Sequence, residues 1–333
     1  MIGLVDQYFC RALADAARNV PGVEYVAVAH LGTEDEYLRQ IAGFTKEEYA
    51  ERYGVRLYED PEEMLRAERL QGVLITTEHA RSPEAVEVAA RHGVHAFVAK
   101  PMATTLAGAD RIVQAVRRHK TIVTTGTTGR LEPRLAAACR QVRAGAVGRL
   151  LTVRTMHQHG NIAAFKPGHW YYNPAHGGPE LSLGWYVVDL LRWVVGARVR
   201  RVYAEYENFV SPESPFMDNG KLLLRFDNGV IASADIHFSV RWQYPNWELE
   251  LMGDAGTIHV RQSFDEGMLF TGAGASSIYR STTNPLNDEV AQWIAACRKG
   301  AEPALTVEDA RETLRVCLAA AESARTHQPV TLD

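Results

Sequence analysis

Short apolar runs alternate with stretches of helical spacing over the first 125 residues of the chain. The apolar runs are rich in Val, Ile and Ala, and turn residues or polar helical patterns separate them. They fall at residues 1–6, 23–30, 55–58, 72–77, 96–99 and 121–125. This alternation is typical of a doubly wound parallel sheet. We therefore predict a Rossmann-like domain of the dinucleotide-binding type over residues 1–125.

The pattern changes beyond residue 125, where one helical stretch is followed by longer strand-like runs. Asp227, Asn228 and Gly229 separate two of these runs, and Asn-Gly is a favoured sequence for a tight hairpin turn. Consecutive hairpins indicate a large open, mostly antiparallel sheet. Helical spacing returns at about residues 287–325. The sequence thus predicts an α/β chain in which a C-terminal α+β domain, residues 126–333, follows the Rossmann-like sheet.

The segment Gly177–Gly196, GGPELSLGWYVVDLLRWVVG, combines a glycine-rich start with an apolar helix. Tyr186 and Asp189 lie three positions apart, so they are neighbours on the surface of this helix. A phenol and a carboxylate on so apolar a helix need hydrogen-bonding partners. One interpretation is a packed helix whose polar groups are satisfied by the backbone. The other is that the loop and helix carry an active site.

Composition narrows the functional classes. The chain has 333 residues, 46% of them hydrophobic, and a formal net charge of −4. With no basic block and no apolar run near the ~20 residues of a membrane span, we expect neither a nucleic acid nor a membrane as partner. The N-terminus lacks the basic and long apolar regions of a signal peptide. Four widely separated cysteines without a CxxC pair indicate a cytoplasmic protein with reduced thiols.

Five stretches together resemble one family. They are Ala96–Met102 (AFVAKPM), Gly126–Pro133 (GTTGRLEP), Gly177–Gly196, Gly253–Val260 (GDAGTIHV) and the tail Asn287–Leu332. In order and spacing they resemble the Gfo/Idh/MocA group of glucose–fructose oxidoreductases, inositol dehydrogenases and rhizopine-catabolism proteins. The likeness covers essentially the whole chain. It implies that the closing helices pack back on the first domain.

The resemblance implies hydride transfer between a nicotinamide and a carbon of a sugar or cyclitol. Lys100 matches the family's lysine, which orients or polarises the reacting hydroxyl, and Asp189 matches its aspartate. Tyr186 stands where the family has a histidine that acts as general acid and base. A phenol titrates near pH 10 in its ordinary state, and a nearby ammonium such as that of Lys100 would favour its ionisation. Lys100 and Tyr186 are therefore the predicted catalytic pair.

The predicted cofactor residues lie at the carboxyl ends of the first strands. Rossmann domains carry G-x-G-x-x-G after the first strand, where bare backbone approaches the pyrophosphate. Here the corresponding residues begin with Asp6, which adds a negative charge, and include the bulky Tyr8, while Arg11 could offset some of that charge. His30 stands where an acidic residue would bind a ribose hydroxyl. The full set of cofactor candidates for NAD or NADP is Asp6, Tyr8, Phe9, Arg11, His30, Thr76, Thr77, Lys100 and Pro101.

The predicted substrate residues combine aromatic rings with polar tips, which suit a polyhydroxylated ligand. They are Asp189, His157, His159, His169, Trp170, Glu180 and Arg130. His157 and His159 lie two apart on a predicted strand and should share one face. With His237, they form an alternative set of ligands for a divalent metal such as zinc. We otherwise expect no metal.

Three functions follow from these observations. The leading one is an oxidoreductase that acts on a sugar, cyclitol or related polyol with NAD or NADP. The first alternative is a non-redox lyase, hydrolase or epimerase of sugar derivatives, with or without a metal, that has lost NAD(P) binding on the same scaffold. The second is an inactive binding or regulatory homologue. Because an open sheet face must be covered, we also predict a homodimer or homotetramer formed through the C-terminal sheet.

Overall fold

The chain folds into two compact units. The computed structural model describes residues 1–159, 167–239, 247–261, 266–271, 274–280 and 285–333. Contacts group the described residues of Met1–Gly126, His169–His176 and Leu286–Leu314 into the first unit, and those of Thr127–Gly168, Gly177–Pro285 and Arg315–Asp333 into the second. No helix in these described ranges is both apolar and long enough to cross a membrane.

Helices and strands alternate in the first half of the chain, and strands dominate after residue 150. The helices are α1 (Phe9–Arg18), α2 (Asp35–Ala42), α3 (Lys46–Tyr53), α4 (Pro61–Ala67), α5 (Ser82–Arg91), α6 (Leu106–His119), α7 (Pro133–Arg143), α8 (Gly178–Val195), α9 (Pro285–Lys299) and α10 (Val307–Thr326). The strands are β1 (Ala27–Ala29), β2 (Arg56–Tyr58), β3 (Gly72–Ile75), β4 (His95–Val98), β5 (Val123–Thr125), β6 (Leu150–Gln158), β7 (Val199–Glu207), β8 (Asn219–Phe226), β9 (Ile231–His237), β10 (Trp247–Gly253), β11 (Gly256–Arg261), β12 (Glu266–Thr271), β13 (Gly274–Arg280) and β14 (Val330–Thr331).

The parallel strands of the first unit follow the strand order of a Rossmann fold. β1 pairs with β2, β3 with β4, and β4 with β5, all in parallel. The N-terminal segment, residues 1–5, lies between β1 and β3, because Ile2 forms parallel bridges with Ala29 and Ile75. Across the sheet the order is therefore β2, β1, the N-terminal segment, β3, β4 and β5. Numbered along the chain with the N-terminal segment as 1, this is the order 3-2-1-4-5-6. In such sheets a ligand binds beyond the carboxyl ends, where the strand order reverses. That point lies next to Asp6.

Local sequence fixes the helix starts around this sheet. Thr45 and Glu48 form a reciprocal capping box at the start of α3. The Asp60 carboxylate accepts from the Glu62 N–H just ahead of Pro61, and Thr105 caps α6 in the same way. These residues satisfy N–H groups that a helix start leaves free, so the boundaries follow from the sequence.

The second unit is built on one large mixed sheet. Its strand order is β13-β12-β11-β10-β6-β9-β8-β7-β14. Every neighbouring pair is antiparallel except β6 and β9. Gly229 has a φ of +91° in the turn between β8 and β9, a conformation that suits glycine. The two sheets confirm the predicted fold class.

Helix α8 covers one face of this sheet and contacts β6 and β9. Residues on these strands alternate accordingly: Val153, Thr155 and His157 are buried on β6, whereas Arg154 between them is exposed. The opposite face carries partly exposed and exposed side chains, including Ile231 and Leu223. The sheet therefore has one face packed against α8 and one open face.

Contacts, not chain order, decide where the segment His169–His176 belongs. The sequence pattern assigns it to the second domain, but the structure groups it with the first unit. The Trp170 indole N–H donates to the Val5 carbonyl over 3.0 Å, and His79 Nδ1 lies 2.9 Å from the His176 carbonyl oxygen. These hydrogen bonds hold the segment at the carboxyl edge of the parallel sheet.

Candidate active site

Lys100 lies two residues past the end of β4, at the carboxyl edge of the parallel sheet. Its side chain is buried, and its Nζ atom is 5.7 Å from the centre of the Phe9 ring. Burial lowers the pKa of Lys100 to about 8, and the charge of Asp6 opposes this shift. An amine with a pKa this close to neutrality can both hold and release a proton under ordinary conditions.

Asp6 caps the start of α1 with its side chain. Its Oδ1 atom accepts from the Phe9 N–H over 3.0 Å, whereas the N-cap residue itself, Tyr8, makes no side-chain cap. The Asp6 side chain is buried, and this burial raises the pKa of its carboxyl, although the Phe9 N–H and the Lys100 charge act in the opposite direction. Tyr8 is 63% exposed at the same helix start. The first turn of α1 is thus occupied by the chain's own carboxylate.

Arg11 does not neutralise this carboxylate. Its guanidinium donates to the Ala42 carbonyl and lies 4.8 Å from the centre of the Phe44 ring. The expectation that Arg11 offsets the charge of Asp6 is therefore not supported, because the side chain reaches in another direction. The charge that acts on Asp6 comes from Lys100.

The predicted threonines are used in packing strands together. Thr76 donates from Oγ1 to the Gly3 carbonyl over 2.7 Å, and a Cβ atom on Gly3 would lie 2.8 Å from the Thr77 nitrogen. The Thr77 hydroxyl donates to the Glu78 carbonyl. Both threonines are fully or nearly fully buried. The Thr76 side chain thus holds the N-terminal segment against β3, whereas that of Thr77 bonds within its own loop.

His30 and Pro101 also lie at this edge and are buried. His30 follows β1 directly, and its Nδ1 atom has no hydrogen-bond partner among the described residues. Burial lowers the pKa of His30, so the ring is neutral near pH 7. A neutral imidazole can accept a hydrogen bond from a ribose hydroxyl, as the usual acidic residue would, but without adding charge.

A cluster of aromatic rings covers the edge next to β3. The rings of His79 and Trp170 lie 4.8 Å apart, and His169 Nδ1 accepts from the Tyr171 N–H over 3.1 Å. Burial lowers the pKa of His79 to about 3 and that of His169 to about 4, so both rings are neutral. Trp170 and His169, predicted as substrate residues, lie mostly within this cluster. His79 was not predicted as a site residue, although it lies only four residues past the end of β3.

In the second unit, Arg130 and Asp189 form a buried ion pair. The Arg130 Nη2 and Nε atoms donate to the two carboxylate oxygens of Asp189 over 2.7 and 2.8 Å, and Thr127 Oγ1 donates to Asp189 over 2.6 Å. Asp189 is fully buried, and Arg130 is 7% exposed. Both residues were predicted to bind substrate. The structure engages both carboxylate oxygens with Arg130 and Thr127, which attaches the turn at residues 127–130 to α8, and a substrate role of either residue stays a prediction.

Tyr186, the predicted proton donor on α8, lies against a histidine of the sheet. Its ring is 4.9 Å from that of His157, which in turn lies 4.1 Å from the ring of Trp247. Tyr186 is partly exposed, whereas His157 is buried. The structure thus places two predicted site residues, the phenol of Tyr186 and the imidazole of His157, in contact with each other and beside the Trp247 ring. This pair suits proton exchange with a bound hydroxyl.

The alternative metal site is not assembled. His157 pairs with Ile236 in the register of β6 and β9, whereas Gln158 pairs with His237. His157 and His237 therefore lie on opposite faces of the sheet. His159 lies beyond the end of β6 and is exposed, and His237 Nδ1 is 2.8 Å from the Asn219 Oδ1. Within the described ranges, no group of three His, Cys, Asp or Glu side chains could hold a metal ion.

Glu180 lies in the first turn of α8 and is partly buried. Its Oε2 atom has no hydrogen-bond partner among the described residues, and the same holds for the hydroxyl of Tyr206. Burial raises the pKa of Glu180 to about 7, although the N–H groups of Glu180 and Met217 oppose the shift. A carboxyl that is half protonated near neutrality can donate or accept a proton, so Glu180 remains a candidate for contact with substrate.

The carboxyl edge of the first unit matches a dinucleotide site in its topology but not in its first turn. A diphosphate normally binds the free N–H groups at the start of the first helix. Here Asp6 already accepts from the Phe9 N–H, and Tyr8 carries a side chain where backbone would be bare. The first turn of α1 therefore departs from the usual diphosphate site, because it holds a carboxylate and a bulky side chain.

Known proteins match both halves of the chain. Residues 2–127 match the family model described as "Oxidoreductase family, NAD-binding Rossmann fold", and residues 135–259 match the GFO/IDH/MocA C-terminal domain. The D-apiose dehydrogenase of Paraburkholderia graminis is 27% identical over 352 residues, which cover 98% of this chain and 87% of the relative. The scyllo-inositol 2-dehydrogenase (NAD(+)) of Bacillus subtilis is 26% identical, with 86% and 85% covered.

Solved structures show the same fold. The aldose-aldose oxidoreductase of Caulobacter crescentus, complexed with glycerol, superimposes with a TM-score of 0.84 at 22% identity, covering 99% of this chain and 98% of that chain. A levoglucosan dehydrogenase in complex with NADH gives a TM-score of 0.86 at 19% identity, covering 100% and 98%. The resemblance seen in the sequence is confirmed: the chain belongs to the GFO/IDH/MocA family of oxidoreductases.

Proposed function

We propose that this protein is an oxidoreductase that acts on a sugar, cyclitol or related polyol with NAD or NADP. The relatives named as D-apiose and inositol dehydrogenases support a small polyhydroxylated substrate. The observation that carries the proposal is Lys100, a buried amine at the carboxyl edge of the parallel sheet with a pKa of about 8. A nicotinamide, when bound, supplies the acceptor for a hydride.

The residues of this chain would handle the substrate's proton and orientation. Lys100 would donate a hydrogen bond to the reacting oxygen as an ammonium or take its proton as an amine. Tyr186, backed by the His157 ring, would hold or exchange a proton on a substrate hydroxyl. Glu180 would accept from another hydroxyl through its unpartnered oxygen. Asp189 and Arg130 would hold the turn at residues 127–130 against α8 through their ion pair.

Turnover tests this proposal directly. The purified protein is incubated with a panel of cyclitols, aldoses and anhydrosugars together with NAD⁺ or NADP⁺, and reduced nicotinamide is followed by absorbance. We expect one or a few polyols to be oxidised, and Lys100→Met to abolish the rate. Absence of nicotinamide reduction across the panel and in the reverse direction, with a folded protein, would contradict the proposal.

A second candidate is a non-redox lyase, hydrolase or epimerase of sugar derivatives. One observation favours it, namely the carboxylate of Asp6 in the first turn of α1. Such an enzyme would use the same proton-transfer residues but would consume substrate without reducing a nicotinamide. Product analysis of the same incubations by mass spectrometry separates the two functions.

We further propose that the protein works in the cytoplasm as a homodimer or homotetramer. The register places Met252 opposite Thr152, and Thr152 opposite Ile231, on the open face of the second-unit sheet. Met252 and Ile231 are 38% and 40% exposed, and Leu223 on the same face is 51% exposed. Exposed apolar side chains on this face suit a second copy of the sheet. Light scattering of Ile231→Glu should show a smaller assembly than wild type; an unchanged mass would contradict this interface.

A further inference from the structure

The strand order of the first unit places Asp6 at the position where a dinucleotide's diphosphate would lie. Asp6 follows the N-terminal segment, which pairs with β1 and β3 through Ile2, and lies three residues before Phe9, the first residue of α1. Diphosphates bind at this helix start because its N–H groups and dipole attract anions. The identity of residue 6 therefore bears directly on cofactor binding.

The Asp6 carboxylate already satisfies the helix start as an anion would. Its Oδ1 atom accepts from the Phe9 N–H over 3.0 Å, and the side chain is only 8% exposed. The geometry is that of an internal ligand: a buried oxyanion, a helix N–H and the nearby charge of Lys100. A phosphate oxygen at this place would have to displace the carboxylate or lie beside it.

Charge makes this competition unfavourable. One ammonium, Lys100, acts on Asp6, while the Arg11 guanidinium is engaged with Ala42. A diphosphate brings two further negative charges next to a buried carboxylate. Two unit charges about 4 Å apart near a protein surface repel strongly enough to change an equilibrium by about 100-fold or more.

We propose that Asp6 is a specificity-determining residue that occupies the diphosphate position with the chain's own carboxylate and so limits the affinity for NAD(P). This inference rests on the proposed function, because it concerns the same cofactor site. It predicts that the sheet can still accept a dinucleotide, and that removal of one negative charge at residue 6 restores tight binding. Substitution of Asp6 should then increase the affinity for the dinucleotide. A residue that only capped the helix would not produce such an increase when it was replaced.

The test is a titration of wild type and variants with NADH, NADPH and ADP-ribose, followed by nicotinamide fluorescence and calorimetry. Asp6→Asn removes the charge and keeps the shape, and Asp6→Ser keeps an oxygen that can cap α1 should the amide disturb the fold. Asp15→Asn is the matched control, since Asp15 is an exposed residue of the same helix and its loss changes the net charge equally. Circular dichroism checks that each variant is folded.

We expect both Asp6 variants to bind all three ligands about 100-fold more tightly than wild type, while Asp15→Asn binds as wild type does. Adenosine, which lacks the diphosphate, should show no such gain. Folded Asp6 variants that gain less than tenfold, or an equal gain in Asp15→Asn, would overturn the inference. Tight wild-type binding accompanied by turnover would overturn the role of Asp6 while leaving the proposed function standing. Tight binding by the Asp6 variants without turnover by any of the proteins would support the role of Asp6 and contradict the proposed function.

Discussion

The pair Arg130–Asp189 gives the sharpest test of how the second unit is held together. The substitution Asp189→Asn removes the negative charge and keeps the side-chain volume. It leaves the Arg130 guanidinium, which is 7% exposed, without its counter-charge in a buried site. Breaking a buried ion pair from one side costs about 3–5 kcal/mol. Because the asparagine can still accept from Thr127 Oγ1, we expect the lower end, about 3 kcal/mol.

Thermal and urea denaturation measure this loss. For a unit of 150–250 residues, each kcal/mol shifts the melting temperature by about 2–4 °C, so Asp189→Asn should melt about 6–12 °C below wild type. The double variant Arg130→Met/Asp189→Leu removes both charges, and we expect it to lose less stability than Asp189→Asn alone. Arg198→Gln is the exposed control: its ion pair with Asp227 is solvent-accessible and should contribute at most about 1 kcal/mol.

The opposite result would restore the role that the sequence suggested for Asp189. If Asp189→Asn had the melting temperature of wild type but a lower affinity for substrate, the Asp189 carboxylate would bind substrate and would not stabilise the fold. A double variant as unstable as the sum of the two single changes would show that Arg130 and Asp189 do not depend on each other.

Two further predictions concern protonation. Because the pKa of Lys100 is about 8, the fraction of neutral amine grows as pH rises through that value. For alcohol oxidation, kcat/KM of the wild type should therefore rise through about pH 8. If a folded Lys100→Arg variant kept the same inflection, the inflection would belong to another group. Burial raises the pKa of Glu180 from its ordinary value of 4.5 to about 7. Between those values the folded state binds a proton that the unfolded chain has released, so stability falls as pH rises across the window. In urea denaturation, the free energy of unfolding of Glu180→Gln should depend less on pH in this window than that of wild type. Above pH 7 the variant should be the more stable protein, by at most about 3 kcal/mol. Parallel pH profiles of the two proteins would show that the pKa of Glu180 is not raised.

Alternation and turn chemistry were enough to predict the two sheets. Strands β1, β3, β4 and β5 carry short runs that are mostly buried, and Asn228-Gly229 forms the turn between β8 and β9 as its sequence requires. Lys100 lies just past a predicted strand, and its proposed role came from the resemblance of AFVAKPM to the family motif. The alternation and turn signals are local, so a sequence without relatives beside it still displays them.

The partners of the polar residues could not be read from the sequence, because they depend on register and long-range contacts. Asp189 and Arg130 are 59 positions apart, and their pairing follows from how α8 meets the turn at residues 127–130. His157 and His237 lie on opposite faces because of a register that no local pattern specifies. The indole of Trp170 reaches Val5, 165 positions earlier, and so belongs to a packed cluster.

Transfer of deuterium from substrate to nicotinamide tests whether this protein catalyses hydride transfer. The first polyol that the protein turns over is prepared with deuterium on its oxidised carbon and incubated with NAD⁺ or NADP⁺, and the nicotinamide is analysed by mass spectrometry. An oxidoreductase of this family must move the label to the nicotinamide ring with one deuterium per substrate oxidised. Consumption of the polyol with the label retained in the sugar product or released to water would exclude hydride transfer to the nicotinamide and favour a lyase, hydrolase or epimerase.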